Sequence, residues 1–212
     1  MPAGMETPER TLVYIPIIHT LADMGGLGPS LERMKLAKLG PQGLAFHAGL
    51  VAEMWDQIER VANELPVIPG KVRVYQDGLP VCGHEQQIVS QLAEKGSRNH
   101  RLLLRLQAKG ALLMGTESGK LLVEEYRLAS AILASGGAGG HVRAEARRKA
   151  SLDALLEKRD RYIAARINAT LAAGETGILF LGMLHAVDRR LDPDVRVVYP
   201  IGPPRNQRGG AT

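Results

Sequence analysis

Two imidazoles, His19 and His185, each follow an apolar run of strand length, Thr11–Ile18 and Ile178–Leu184. A carboxylate, Asp77, closes a shorter run, Lys71–Gln76, and the Gly78 after it signals a turn. Neutral imidazole nitrogens and carboxylate oxygens are ligands for a divalent metal such as Mn, Co or Zn. A water on such an ion loses its proton readily enough to attack a carbonyl. Glu117 is a second carboxylate able to complete the set. In open parallel sheets, ligand sites form at the C-terminal ends of the strands. Separate segments that bring His19, His185 and a carboxylate from Asp77 or Glu117 to that edge are therefore a candidate metal site. Each residue also has a plainer reading. A strand-end histidine is commonly a hydrogen-bonded structural group, and an Asp before Gly commonly makes a turn.

A long helical pattern, Arg143–Ala173, lies just before the second apolar run, and Gly174 marks its stop. Its apolar stripe is Leu152, Leu155, Leu156, Ile163, Ile167 and Leu171. At ~100° per residue, Arg159 and Asp160 project from the two flanks of that stripe. Charged groups bordering a buried face need partners. Their height can be reckoned if the helix packs on the strand that follows it. About seven strand residues climb ~23 Å. An antiparallel helix covers that rise in ~15 residues. Counting back from Ala173 puts Arg159 and Asp160 level with His185.

The remaining pattern alternates strands with helices. Leu44–Leu65 has one apolar face (Leu50, Met54, Ile58, Val61 and Leu65) and ends at Pro66. Gln86–Ala93, Asn99–Lys109 and Leu121–Leu133 read as helices, and Val195–Tyr199 as a short strand. Pro16 removes a ladder donor from the first strand, which predicts an edge or an irregularity there. The fold class is α/β, layered, with a largely parallel sheet flanked by helices. Residues 11–201 form one domain with a glycine-rich loop at 135–140, between tails at 1–10 and 202–212.

Composition narrows the function. The chain has 212 residues, 45% hydrophobic and 23% charged, a normal balance for one globular domain. No apolar run reaches the roughly 18 residues of a membrane-spanning helix, and the N-terminus lacks a signal pattern, so a cytoplasmic location is expected. One cysteine, Cys82, excludes an internal disulfide and a multi-cysteine zinc site, and an inert, packed thiol is the expectation. Gly115-Thr-Glu-Ser-Gly119-Lys120 is not a phosphate loop: it has three residues between its glycines where four are needed, and Leu121 follows the lysine. His84-Glu85 lacks the second zincin histidine, since Ile88 occupies that position. Arg98, Arg101, Arg105 and Lys109 make one basic cluster, and Arg143, Arg147, Arg148 and Lys149 another. A net charge of +5 permits an anionic partner. Aromatics at 4% and the lack of a base-reading motif leave nucleic acid the least favoured one.

Arg159-Asp160-Arg-Tyr-Ile-Ala-Ala-Arg-Ile167, then Ile178-Leu-Phe-Leu-Gly182-Met-Leu-His185, resembles the end of the TraB/Tiki family. That family carries an Arg-Asn/Asp helix and then a strand ending in Gly-x-x-His. It has an earlier Gly-x-x-His after its opening strand, which Pro16-Ile-Ile-His19 matches except for the glycine. Asp77 takes the place of the family's acidic residue, usually glutamate, and Lys158 stands where glutamate usually precedes the arginine. The resemblance is clear over about residues 155–190. It implies a fold related to the ChaN and erythromycin-esterase group, and a metal-dependent hydrolase of peptide or ester bonds acting on a small-molecule or peptide substrate. In such a site Arg159 would hold a substrate carboxylate or steady an oxyanion. Asp160 would orient Arg159 or a ligating imidazole. Glu124 and Glu125 are expected to be solvated helix residues. The alternatives are a non-catalytic small-ligand-binding or regulatory protein that keeps the pocket, and a nucleic-acid-associated protein. The motifs do not encode the oligomeric state.

Overall fold

The computed structural model describes residues 9–20, 23, 26, 28–134 and 142–204, without the side chains of residues 134 and 142–145. The glycine-rich stretch 135–140 and most of both expected tails lie outside the described residues. The elements run β1 (Arg10–Ile17), α1 (Gly28–Glu64), β2 (Val72–Gln76), α2 (Glu85–Glu94), α3 (Arg98–Ala108), β3 (Leu112–Met114), α4 (Gly119–Ala134), α5 (Val142–Thr170), β4 (Thr176–Gly182) and β5 (Val195–Val198). Among the described residues the strands form one sheet in the order β3-β2-β4-β1-β5, with every pair parallel. The protein has a layered α/β fold. No helix among the described residues is long and apolar enough to cross a membrane.

Alternation along the strands splits the core into two layers, as the period of a strand requires. Val13, Ile15, Ile17, Val72, Val74, Ile178 and Phe180 face Trp55 and Ile58 of α1 and Leu102, Leu103 and Leu106 of α3. Leu12, Tyr14, Tyr75, Leu179 and Leu181 face Ile163, Ala164, Ile167 and Leu171 around α5. Both sheet faces are covered, which is why β1 and β4 are near-continuous apolar runs.

Several local expectations change. β1 is not an edge strand, because β4 and β5 flank it. β5 pairs only as far as Val198 opposite Val13, however, so by Pro16 the β5 side of β1 is open and the missing N–H costs no ladder bond. Arg10 belongs to β1 and not to a tail. It is buried, and its guanidinium donates to Asp192 and Asp194 and to the α5 carbonyl of Asn168. β3 escaped the sequence pattern, since its three residues are exposed or half-buried. In the α5 stripe Leu152 is 39% exposed, because the buried contacts begin at Leu155. Cys82 is exposed in the loop before α2, not packed.

Gly110 turns the chain from α3 into β3 with φ at 100°. A Cβ there would lie 2.8 Å from Pro69 Cβ and 2.9 Å from Pro69 Cα. Gly110→Ala combines a left-handed backbone penalty with a clash against a rigid ring. It is expected to lower unfolding free energy by about 3 kcal/mol, read as a lower urea midpoint at unchanged slope.

Candidate functional site

The site grows from the ends of the three neighbouring strands β1, β4 and β2. Gly182 is in register with Ile17, and Phe180 with Gln76. The residues just past those strand ends are thereby side by side. The Asp77 N–H donates to the Phe180 carbonyl at 2.9 Å, which extends the ladder by one residue and aims the carboxylate at the strand edge. Gly78 then turns the chain at φ 75°.

Asp77 is the centre of the cluster. It is buried, and its Oδ2 accepts from His19 Nε2 at 2.9 Å and from the Gly182 N–H at 2.8 Å. His185 Nε2 lies 3.7 Å from the same oxygen. Asp77 Oδ1 accepts from Arg159 Nη2 at 2.7 Å. Burial alone would raise this carboxyl, but His19, His185 and Arg159 hold it well below the usual carboxylate range. Gly182 is needed for the close approach. A Cβ there would sit 2.9 Å from Asp77 Oδ2 and 3.7 Å from His19 Nε2.

The long helix supplies the second half. Asp160 Oδ1 accepts from His185 Nδ1 at 2.5 Å, and its Oδ2 accepts from the Ala186 N–H at 2.9 Å. With Nδ1 so engaged, His185 presents Nε2 to Asp77. Asp160 thus contacts the imidazole of His185, and the structure shows no hydrogen bond from Arg159 to it among the described residues. Arg159 reaches the other way. Its Nε donates to Glu117 Oε2 at 2.7 Å, and its Nη1 to Glu125 Oε1 at 2.5 Å. Glu117 Oε1 also accepts from the Gly78 N–H at 2.9 Å. Both Glu117 oxygens are thus taken by Arg159 and Gly78, and Asp77 is the carboxylate that meets the imidazoles. Glu125, expected to be solvated, is an Arg159 partner. Nothing in the sequence distinguished Glu125 from its neighbour Glu124, which pairs with Lys158 at the surface.

These contacts leave an excess of negative charge. Asp77, Glu117, Glu125 and Asp160 surround one arginine and two histidines. The response is visible in the titrating groups. Burial opposes the charged form of His19, yet Asp77 pushes its ring up to about 9. His185 also moves up, against its burial, because Asp77 and Asp160 face it. Burial and the Asp77 charge push the Glu117 carboxyl up.

The loop that carries His19 is pinned separately. Thr20 donates to Asp23 Oδ2 through its N–H at 2.7 Å and its hydroxyl at 2.8 Å, and Ser97 Oγ donates to Asp23 Oδ1. Ser97 caps α3 by accepting from the His100 N–H. Trp55 Nε1 donates to the Ile18 carbonyl at 3.1 Å. Neither Asp23 nor Trp55 figured in the sequence reading.

Among the described residues no group of three or more His, Cys, Asp and Glu side chains is spaced to hold a metal ion as it stands. The first basic cluster is largely spoken for by the protein. Arg98 pairs with Asp56 and Glu59, Arg105 pairs with Glu59, and Lys109 donates to the Asn63 carbonyl. Arg147 and Lys149 of the second cluster are exposed.

Comparison with known protein families, with characterised proteins and with solved structures finds no match to this chain.

Two stability predictions follow from the ion pairs. Arg159→Gln leaves Asp77 and Glu117 buried without their cation, which should cost about 3–5 kcal/mol at pH 8. The loss should shrink at pH 5, where the native variant can take up protons on those carboxyls; denaturant melts at both values measure it. Burial works against the Asp23 carboxylate, but His100, Ser97 and Thr20 hold it at about 2 against an ordinary 3.8. A depressed carboxyl stabilises the fold above its unfolded value. The roughly 2 kcal/mol it contributes should therefore be present above about pH 4 and vanish as pH falls toward 2. Asp23→Asn should flatten the stability curve across that window.

Proposed function

We infer that the chain is a metal-dependent hydrolase of peptide or ester bonds, a divergent relative of the TraB/Tiki family. One observation carries the reading: two imidazole Nε2 atoms from neighbouring strand ends turn toward one buried carboxylate oxygen, Asp77 Oδ2. Imidazole and carboxylate are the donor set of Mn, Co and Zn. The surplus of carboxylates that pushes both rings up is the field a divalent cation would relieve. His19, His185 and Asp77 would hold the ion, with the imidazoles giving up the protons they share with Asp77. When bound, such an ion makes its water more acidic and polarises a substrate carbonyl.

The chain's own residues account for the rest. Asp160 fixes His185 with Nε2 free for ligation. The Gly182 N–H and Arg159 hold Asp77 in place. Glu125 is 41% exposed, the most exposed carboxylate on Arg159, so Nη1 is where an anionic group of a substrate can replace it. Arg159 then serves both as an organiser of the carboxylates and as a substrate anchor.

A second reading is a binding or regulatory protein without turnover. It is favoured by the completeness of the Arg159 network, which pairs every nitrogen of the guanidinium within the protein.

Native-state metal binding stabilises by about 2.7 kcal/mol at a free concentration one hundred times Kd. Added Mn²⁺, Co²⁺ or Zn²⁺ should raise the Tm of the wild type but not of His19→Ala/His185→Ala. Because the ion displaces protons, the shift should grow from about pH 6 toward the His19 value of about 9. A metal-dependent shift with no hydrolysis across peptide and ester panels would support the binding protein. Equal shifts in the wild type and the double variant would refute the ligand set.

A further inference from the structure

The charged cluster at the strand ends is closed to water except at two points. The side chains of Asp77, Glu117, Arg159, Asp160 and His185 are 6% exposed or less, whereas His19 is 33% exposed and Glu125 41%. Anything that enters from solvent meets these two groups first. Glu125 is also the carboxylate with the fewest ties. It gives Arg159 one oxygen at Nη1, while Glu117 gives two and Asp77 is held by the Gly182 N–H and His19 as well. A guanidinium has five N–H donors, and the second N–H of Nη1 has no acceptor among the described residues.

Charge decides what can take the place of Glu125. The cluster holds more carboxylates than cations, so a ligand must not add to the excess. A monocarboxylate that replaces the Glu125 carboxylate exchanges one negative charge for another, and Glu125 turns out into water at little cost, because a half-exposed ion pair is worth little. A phosphate dianion would bring a further charge up against Asp77 and Glu117. At the His19 end the same condition calls for a neutral acceptor, a carbonyl oxygen. His19 Nε2 and Arg159 Nη2 contact the two oxygens of Asp77 at 2.9 Å and 2.7 Å, and bond lengths then put Nη1 at most about 10 Å from His19 Nε2. Contacts of about 2.8 Å at each end leave about 5 Å for the ligand. That is the distance from an acyl oxygen to the carboxylate of the residue it acylates, one residue of at most about 3.6 Å with its oxygens. A second residue overshoots.

We propose that Glu125 occupies a carboxylate subsite, and that the ligand which displaces it is an N-acyl amino acid or the C-terminal residue of a short peptide, with its carboxylate on Arg159 Nη1 and its acyl carbonyl at His19. That the bond beside this carbonyl is cleaved rests on the hydrolase reading proposed above; the subsite itself does not. In the hydrolysis the acyl C–N bond breaks, the water oxygen joins the acyl carbon and both water protons end on the nitrogen, giving a carboxylate and a free amino acid. The chain then releases one C-terminal amino acid per turnover and spares peptides whose carboxylate is blocked.

Calorimetric titration of the full chain, without added metal, with N-acetyl-L-alanine, N-acetyl-L-alaninamide and inorganic phosphate tests the subsite apart from turnover. The acid is expected to bind the wild type, and to bind Glu125→Gln about fivefold more tightly, because the competing carboxylate is gone. The amide and phosphate are expected to bind both proteins at least about tenfold more weakly than the acid, the first for want of a charge-assisted hydrogen bond and the second for its extra charge. Equal binding of acid and amide, no binding of the acid up to about 10 mM, or a Glu125→Gln that binds it no more tightly than the wild type overturns the proposal. Far-UV circular dichroism checks that Glu125→Gln is folded; if it is not, the comparison of acid and amide on the wild type decides. With Mn²⁺ added, N-acetyl-alanyl-alanine is expected to yield free alanine by mass spectrometry, and its C-terminal amide to stay intact. Equal cleavage of both overturns the proposal and leaves the hydrolase reading standing. Carboxylate-selective binding with neither cleavage nor a metal-dependent Tm shift supports the subsite and overturns the hydrolase reading.

Discussion

Asp77 is a carboxylate held charged in a place water does not reach. An ionised carboxyl in a protein interior is costly unless it is paired and fully hydrogen-bonded. Everything around the strand edge is arranged to meet that condition. The Gly182 N–H and His19 satisfy one oxygen, and Arg159 satisfies the other. Those contacts come from β4, from the segment after β1 and from α5. The carboxylate therefore joins three elements that lie far apart in sequence, 58 residues in one direction and 105 in the other.

The same demand passes outward. Arg159 cannot sit beside Asp77 without carrying its own burial cost, and Glu117 and Glu125 answer it. His185 is buried against Asp77 and so needs Asp160 behind it to set the orientation of its ring. The result is a chain of groups alternating in sign but with carboxylates in excess. Burial distinguishes the cluster from the Arg10–Asp192–Asp194 group at the opposite ends of the strands, whose two carboxylates are about half exposed.

Helix α1 divides the molecule's stability unevenly. Its last turns are core, with Trp55 and Ile58 under the sheet and the Trp55 indole tied to the segment that leads to His19. Its earlier turns hold no buried side chain. The part that supports the site is thus the part that folding secures.

The sequence by itself determined what depends on local periodicity and on residue type. Unbroken apolar runs marked β1 and β4 as strands covered on both faces, and alternation with helices marked the α/β class. The strand-end positions of His19, Asp77 and His185 could be read directly, and the helix count placed Arg159 and Asp160 at their height. Tertiary structure alone decided the rest. Whether β1 lies inside the sheet, which carboxylate takes the imidazoles, and that Glu125 reaches Arg159 all depend on the strand order β3-β2-β4-β1-β5. The requirement for Gly182 likewise appears only once Asp77 Oδ2 is known to occupy the space its Cβ would need. The physical reason is range. Periodicity is a property of neighbouring residues, whereas an ion pair across 82 residues exists only after burial of both sheet faces has chosen which strands lie side by side.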